Sequence, residues 1–298
     1  MKYCVLFNPK AGNGKGKEEA ERLCEKLGDQ VAEKLDVTAI EDLAAFFEEK
    51  KEFSVVLCGG DGTLNHFAND VAGLKISSPL FYCATGTGND FLRDIEKPAG
   101  ELIPLEPYIE NLPVCEIDGR EYRFINGIGY GIDGYCCEVG DRIREEAPGK
   151  PINYTGIAIK GLLFHYKPTG ATVTVDGKEH RFEKVWIAPT MNGRYYGGGM
   201  MAAPDQDRLS PEGNQTVVLF HNSGKLHTLM VFPKIFKGEH LTSKVTAVLT
   251  GHEITVEFDE PRPLQMDGET VLGVKKYTVK AAKPAKAAEE TRETRVAF

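Results

Sequence analysis

The first third of the chain alternates short apolar runs with charged, amphipathic stretches. Tyr3–Phe7, Ser54–Cys58 and Leu80–Cys83 are mostly apolar and short, as buried parallel strands are, and a weaker strand is predicted near Val37. Between them, Glu18 to Leu27, Glu41 to Lys50 and Leu64 to Ala72 read as helices. Such alternation predicts an α/β doubly wound parallel-sheet domain over residues 1–112, whose ligands bind beyond the C-terminal strand ends. From about residue 113 the period changes to two. Val114–Ile117, Glu121–Asn126, Ala171–Val175, Val185–Pro189, Thr216–Phe220, Lys244–Thr250 and Glu253–Phe258 are short predicted strands. Turn pairs such as Asp118-Gly119 and Asp176-Gly177 separate several of them. Residues 113–279 therefore read as an all-β sandwich domain, with helices inserted around Asp133–Glu145 and Ile152–Tyr166. The Ala/Lys/Pro/Glu-rich tail, 280–298, is expected to fray, with a return to the first domain as the alternative.

Composition narrows the function classes. A net charge of −8 disfavours general nucleic-acid binding, which needs a basic footprint, but leaves room for a local basic patch facing anionic lipid. No apolar run approaches the ~18–20 residues of a membrane span, so no transmembrane segment is expected. The N-terminus enters a strand at once and lacks the layout of a signal peptide. Seven cysteines without a Cys-x-x-Cys pair fit buried, reduced thiols in a cytoplasmic protein, and the vicinal Cys136-Cys137 pair is the one redox candidate.

The chemistry concentrates in loops after predicted strands. Gly59-Gly60-Asp61-Gly62-Thr63-Leu64-Asn65 puts three glycines around one carboxylate before a helix. Backbone N–H groups there can approach a phosphate chain, and the helix N-terminus adds partial positive charge. Asp61 neither packs as a hydrophobe nor binds phosphate directly, so it is expected to hold a metal or orient a hydroxyl. Asn8-Pro9-Lys10-Ala11-Gly12-Asn13-Gly14-Lys15-Gly16 fails the Walker pattern, because Pro9 and Gly16 stand where glycine and Ser or Thr are needed. It can still cradle phosphate, the alternative being an ordinary turn with solvated lysines. Thr85-Gly86-Thr87-Gly88-Asn89-Asp90 is a third such loop; helix capping accounts for one of Asn89 and Asp90, not for the whole string. Taken alone, Gln265-Met266-Asp267-Gly268-Glu269 reads as a hairpin turn, and Leu209-Ser210-Pro211-Glu212-Gly213-Asn214 as a surface loop. The histidines show no metal-ligand spacing, and no Gly-x-Ser-x-Gly elbow occurs.

In order, Asn8 to Gly12, Gly59 to Asn65, Gly86 to Phe91, Asn192 to Gly199 and Asp267-Gly268-Glu269 closely resemble the diacylglycerol kinase catalytic-domain family, specifically its soluble bacterial lipid kinases. Sphingosine, ceramide and NAD kinases are more distant relatives. The resemblance implies a nucleotide domain, a β-sandwich and an active site in the cleft between them. It matches Asn8, Pro9, Lys10, Ala11, Gly12, Thr38, Gly59 to Asn65 and Thr87 to ATP-contacting positions, and Glu269 to the proton acceptor. The bacterial enzymes hold a structural Mg²⁺ in a Leu-x-x-Asp-Gly-Leu loop. Here Leu209, Glu212 and Asn214 take its ligand positions, with Glu for Asp and Asn for the apolar residue. His66 and Pro113 also depart from the family, in places where Glu and an acidic residue are common.

The expected activity is transfer of the γ-phosphoryl of ATP to the hydroxyl of a lipid such as diacylglycerol, in phospholipid biosynthesis. Asp61, with Asp90 as second candidate, would anchor Mg²⁺, and Glu269 would take the hydroxyl proton. The partner would be lipid at the inner membrane face, reached peripherally; a homodimer stays open. The apolar segment Ile157 to Lys167 reads first as a core helix, and alternatively as a surface docked on anionic lipid or lining an acyl pocket. An NAD-kinase-type small-molecule kinase and a catalytically silent nucleotide- or lipid-binding protein are the rival readings.

Overall fold

The computed structural model describes residues 2–85, 89–147 and 152–281. The chain packs as two units, Met1–Glu110 and Asn111–Phe298.

The first unit is a five-stranded sheet in the order β2-β1-β3-β4-β5. β1 (Tyr3–Phe7), β2 (Val31–Asp36), β3 (Ser54–Gly59) and β4 (Leu80–Ala84) are parallel, and the two-residue β5 (Ile103–Pro104) closes one edge antiparallel to β4. Every residue of β3 is buried, because helices cover both faces of a parallel sheet. α1 is a single turn, Ala11–Gly14, and α2 follows over Gly16–Leu27, turning Gly16, Ala20 and Leu23 inward. α3 (Leu43–Glu49) starts where the Asp42 carboxylate accepts the Ala45 N–H at 2.9 Å. α4 (Asp61–Asp70), α5 (Asp90–Asp94) and α6 (Glu106–Ile109) complete the unit.

The strand expected near Val37 lies earlier. Val37–Ala39 is a 3₁₀ turn, because the Asp36 carboxylate accepts both the Thr38 N–H (2.9 Å) and the Thr38 hydroxyl (2.7 Å) and bends the chain. β1 is bonded to β2 on one side and to β3 on the other. The chain therefore leaves β1 in one direction and returns on the opposite side, which opens a crevice at the C-terminal ends of β1 and β3.

The second unit is an antiparallel sandwich of ten paired strands. β6 (Val114–Ile117), β7 (Arg120–Arg123) and β8 (Gly127–Tyr130) precede α7 (Ile132–Glu146) and α8 (Tyr154–Lys160), after which Gly161–His165 forms a π-type turn. β9 (Thr169–Val175), β10 (Lys178–Val185) and β11 (Thr190–Met191) follow, then a ribbon of β12 (Tyr195–Tyr196) and β13 (Met200–Met201). β14 (Gln215–Phe220), α9 (Lys225–Val231), β15 (Thr246–Gly251), β16 (Glu253–Met266) and β17 (Glu269–Lys280) end the unit. Residues 186–189, expected as strand, make only isolated bridges, through Ile187 to Gly131 and Phe220. β16 runs past Phe258, where its strand was expected to stop. Pro261 and Pro263 sit where the register with β17 shifts, since a proline lacks the N–H that an unbroken ladder needs. One core, with Phe124, Tyr130, Phe258 and Tyr277, fills the sandwich, and a second, around Trp186 and Phe220, lies under α7, α8 and α9. Lys280 pairs with Val114. The expected return of the tail concerns residues that, beyond Ala281, lie outside those described.

Candidate functional site

In the first unit, the three glycine loops leave neighbouring strands at one edge. Phe7 is level with Cys58, and Gly59 with Ala84, so Asn8, Gly60 and Thr85 begin their loops side by side. In the first loop, Asn8 Oδ1 accepts the Lys10 N–H at 2.9 Å, and the Asn8 carbonyl accepts the Ala11 N–H at 3.0 Å. Pro9, Lys10, Ala11 and Gly12 turn over the start of α2. A Cβ on Gly16 would lie 1.9 Å from the Asn8 carbonyl oxygen, so only glycine lets loop and helix meet.

Gly59 is tight for a similar reason: a Cβ there would come within 2.6 Å of the Thr63 side chain. Gly60 and Gly62 differ, with nothing within 4 Å of a Cβ at either position. Their backbone is open at the N-terminus of α4, where N–H groups and the helix dipole favour an anion. Thr63, Leu64 and Asn65 are buried and seat the helix on the sheet.

The second and third loops are stitched together. Asp61 Oδ2 accepts the Asp90 N–H at 2.8 Å. Asn89 caps α5 through the Leu92 N–H (2.7 Å) and donates to the Tyr82 hydroxyl (2.8 Å), which donates to the Gly59 carbonyl (2.9 Å). The Thr85 N–H reaches that carbonyl at 3.1 Å. Burial, with Asp61 nearby, keeps the Tyr82 phenol protonated. Asp90 is buried and Asp61 half-buried, both at the loop edge. Thr38, capped by Asp36, lies just past the end of β2, which neighbours β1 and its loop at Asn8 in the sheet order. Thr87 lies outside the described residues.

In the second unit, Asp267 and Gly268 both have positive φ, 46° and 98°, which makes the β16–β17 connection a tight hairpin turn. The Asp267 carboxylate accepts the N–H groups of Ile125, Asn126 (2.9 Å) and Gly127 (3.0 Å). Gln265 Oε1 accepts the Gly268 N–H at 2.8 Å, and the Thr270 hydroxyl donates to Asp141 at 2.6 Å. Glu269 is thus an exposed carboxylate on a backbone fixed from both sides. The segment under the turn is held in its own right: Asn192 donates to the Ile125 carbonyl at 2.9 Å, and Arg208 to Asn126 Oδ1 at 3.0 Å. Tyr82, Gln265 and Arg208 carry no signal of this in the sequence. Asn126, a polar residue inside an apolar run, carries a faint one.

Two further features touch expectations about chemistry. The Gly197–Gly199 turn has three consecutive positive φ values and brings the Tyr196 hydroxyl to Asp133 at 2.7 Å. Burial pushes the Asp133 carboxyl up to about 7, against the lowering effect of that hydrogen bond. Cys136 and Cys137 are separate thiols, and burial raises both, Cys137 to about 12, so neither is a ready thiolate.

In the loop after Arg208, Asn214 donates to Glu212 at 2.8 Å and Gln206 donates to the Asn214 carbonyl at 2.8 Å. Leu209 is about half exposed and its N–H is taken by Asp207 at 2.9 Å. Asn214 Oδ1 and Gln215 Oε1 are buried and accept no hydrogen bond from described residues. Hard oxygen donors of that kind suit Mg²⁺ or Ca²⁺, so the donor set of this loop fits such an ion. Among the described residues no three His, Cys, Asp or Glu side chains cluster as a metal site.

Comparison with known proteins agrees with this architecture. Residues 2–111 match the diacylglycerol kinase catalytic domain, and residues 126–285 the YegS C-terminal NAD kinase beta sandwich-like domain. A protein named diacylglycerol kinase from Mycobacterium tuberculosis (strain ATCC 25618 / H37Rv) is 26% identical over 273 residues, covering 87% of this chain and 85% of its own. A diacylglycerol kinase from Bacillus subtilis (strain 168) is 24% identical over 233 residues, covering 74% and 72%. The crystal structure of a diacylglycerol kinase from Bacillus anthracis str. Sterne has a TM-score of 0.62 at 20% identity, over 94% of each chain, a likeness of fold. With both domain profiles in sequence order along nearly its whole length, this chain belongs to the diacylglycerol kinase catalytic-domain family, in the form that carries a YegS-type, NAD-kinase-like β-sandwich.

Proposed function

We propose that this protein is an ATP-dependent lipid kinase that phosphorylates the free hydroxyl of diacylglycerol or a similar lipid, giving phosphatidic acid from diacylglycerol. The observation that carries the reading is the edge of the parallel sheet. Three loops meet there, two are locked together through Asp61 and Asp90, and the backbone at Gly60 and Gly62 is open to an anionic chain. Phosphoryl transfer needs positioning and charge neutralisation more than covalent chemistry, and these loops offer both.

In this reading, Asn8 to Gly12, Thr38, Gly59 to Asn65 and Thr87 hold the nucleotide, and Asn89 and Asp90 fix the loop edge. Mg²⁺ bound with the nucleotide would spread the charge of the β- and γ-phosphates, and Asp61 and Asp90 are the carboxylates to hold it. The lipid hydroxyl oxygen bonds to the γ-phosphorus as the bond to ADP breaks, and Glu269 accepts the hydroxyl proton. Leu209, Glu212 and Asn214 would hold a second, structural Mg²⁺. No described helix is long and apolar enough to cross a membrane. In this reading the protein meets its lipid peripherally, at the inner membrane face.

The test is ADP release and product formation with ATP and Mg²⁺ against diacylglycerol, sphingosine, ceramide and NAD. Phosphorylation of diacylglycerol supports the reading. Phosphorylation of NAD alone would make this a small-molecule kinase, and nucleotide binding without transfer to any of the four would make it a silent binder.

A further inference from the structure

Most apolar side chains of the second unit point into its two cores; of the four most exposed large ones, Leu272 lies on β17 and the other three gather in one region. Phe164, Leu226 and Met230 are 73%, 72% and 66% exposed. In α9, Thr228 and Val231 face the core, at 1% and 3%. Leu226 and Met230 lie one turn apart on the opposite side. The neighbouring segment is divided in the same way: Ala158, Leu162 and Tyr166 are buried, whereas Ile159, Lys160 and Phe164 face out. Lys225 ties the two elements together by donating to the Leu163 carbonyl at 2.7 Å, next to Leu226 on one side and Phe164 on the other.

Charge follows the same map. Acidic residues make up 44 of the 298, yet residues 152–167 and 222–238 contain none, while they hold Lys160, Lys167, Lys225, Lys234 and Lys237. On α7, packed against α8, the acidic Glu138 and Asp141 are paired with Arg142 and Arg144. An acidic protein thus places exposed apolar groups and exposed lysines on the same elements, with Glu145 and Glu146 at the end of α7 and Glu239 after Gly238 as the nearest acidic residues in the chain. That combination suits the boundary between acyl chains and anionic headgroups, with lysine stems lying along the apolar groups and their ammonium groups on phosphate.

We propose that the outer face of α8, the Gly161–His165 turn and α9 docks this protein on an anionic lipid bilayer. Phe164, Leu226 and Met230 enter the acyl boundary, and Lys160, Lys225 and Lys234 meet headgroup phosphates. The inference deepens the lipid-kinase reading and rests on it for the choice of a bilayer over a protein partner.

Co-sedimentation with vesicles of phosphatidylcholine alone, or of equal parts phosphatidylcholine and phosphatidylglycerol, reads docking without turnover. The full chain should pellet with the mixed vesicles and release as salt rises. Leu226→Asp with Met230→Asp should weaken binding about tenfold or more, and Lys160→Glu with Lys234→Glu about fivefold for each lysine. The sites are exposed, so folding should survive; Leu226→Ser with Met230→Ser repeats the test should the aspartates perturb it. Phosphorylation of detergent-dispersed lipid should persist in these variants while phosphorylation in vesicles falls. Variants that pellet like the parent overturn the proposal. So does a drop from dimer to monomer with vesicle binding unchanged, which would give the face to a second copy. A chain that docks through this face yet phosphorylates no lipid overturns the kinase reading and leaves the docking surface standing.

Discussion

In the proposed mechanism Asp61, Asp267 and Glu269 do three different jobs, and isosteric amides separate them. Glu269 is exposed, and in that mechanism it takes the hydroxyl proton. Glu269→Gln should lower kcat about 10²–10⁴-fold with nucleotide affinity unchanged, and a variant turning over like the parent would remove Glu269 from the role. Asp61 accepts the Asp90 N–H, which an asparagine carbonyl can also do. Asp61→Asn should therefore unfold within about 1 kcal/mol of the parent while needing more Mg²⁺ for half-maximal rate. An unchanged Mg²⁺ titration would count against metal binding by Asp61. Asp267 is the opposite case. Its two oxygens accept three backbone N–H groups, and an amide would turn a donor towards them. Asp267→Asn should cost about 2 kcal/mol in urea unfolding, and it should lower kcat by loosening the backbone under Glu269. The sequence puts all three residues in recognisable strings, and the family resemblance singles out Glu269 as proton acceptor, but neither marks Asp267 as the residue that holds the turn. That distinction needs Ile125 to Gly127, which are distant in the chain and whose backbone, not side chains, makes the contact.

Among the elements, β1, β3 and β4 of the first unit are plain in the sequence because each is mostly apolar and leads into a glycine loop, whereas β2, with Glu33, Lys34 and Asp36, has neither mark and was expected too late in the chain. The second unit is less plain. β10 is rich in Lys, Glu and Arg and pairs only with β9, so its outer edge never needed an apolar pattern. β8 is half glycine, because Cβ atoms at Gly127 and Gly129 would run into Met191 and Gln265. α9 was not predicted, since its apolar residues lie on two faces, one turned to the core and one away from it. Glycines in the first unit's loops likewise look alike in sequence but not in structure, which gives a paired test. Gly16→Ala places a methyl against the Asn8 carbonyl and should cost about 3 kcal/mol or more. Gly60 has extended backbone, φ −95° and ψ −173°, and open space where a Cβ would go. Gly60→Ala should leave stability within about 1 kcal/mol of the parent. It should raise the KM for ATP about tenfold or more, because the methyl occupies the path of the phosphates. Normal ATP use by Gly60→Ala would mean that this backbone does not contact the nucleotide.

For the molecule as a whole, the largest pH effect with a nameable origin lies in the second unit's own core. Asp133 sits in the first turn of α7, buried, with Tyr196 donating to it at 2.7 Å. Burial raises its folded value to about 7, whereas an unfolded aspartate titrates near 3.9. Between those values the folded chain holds a proton that the unfolded chain has released. Its contribution to stability is therefore complete below about pH 4 and is lost as pH climbs through about 7. A gap of about three pH units corresponds to roughly 4 kcal/mol across that window. Asp133→Asn keeps a carbonyl for the Tyr196 hydroxyl and cannot ionise, so this loss disappears. Urea unfolding of parent and variant at pH 5 and pH 8, followed by the fluorescence of Trp186, the chain's single tryptophan, reads the unit that contains the pair. The variant should be the more stable by about 1.5 kcal/mol at pH 5 and by about 4 kcal/mol at pH 8, so that its lead grows with pH. Parallel curves at both pH values would show that the Asp133 carboxyl ionises in the folded protein as readily as in water, and that its burial beside Tyr196 does not control its charge.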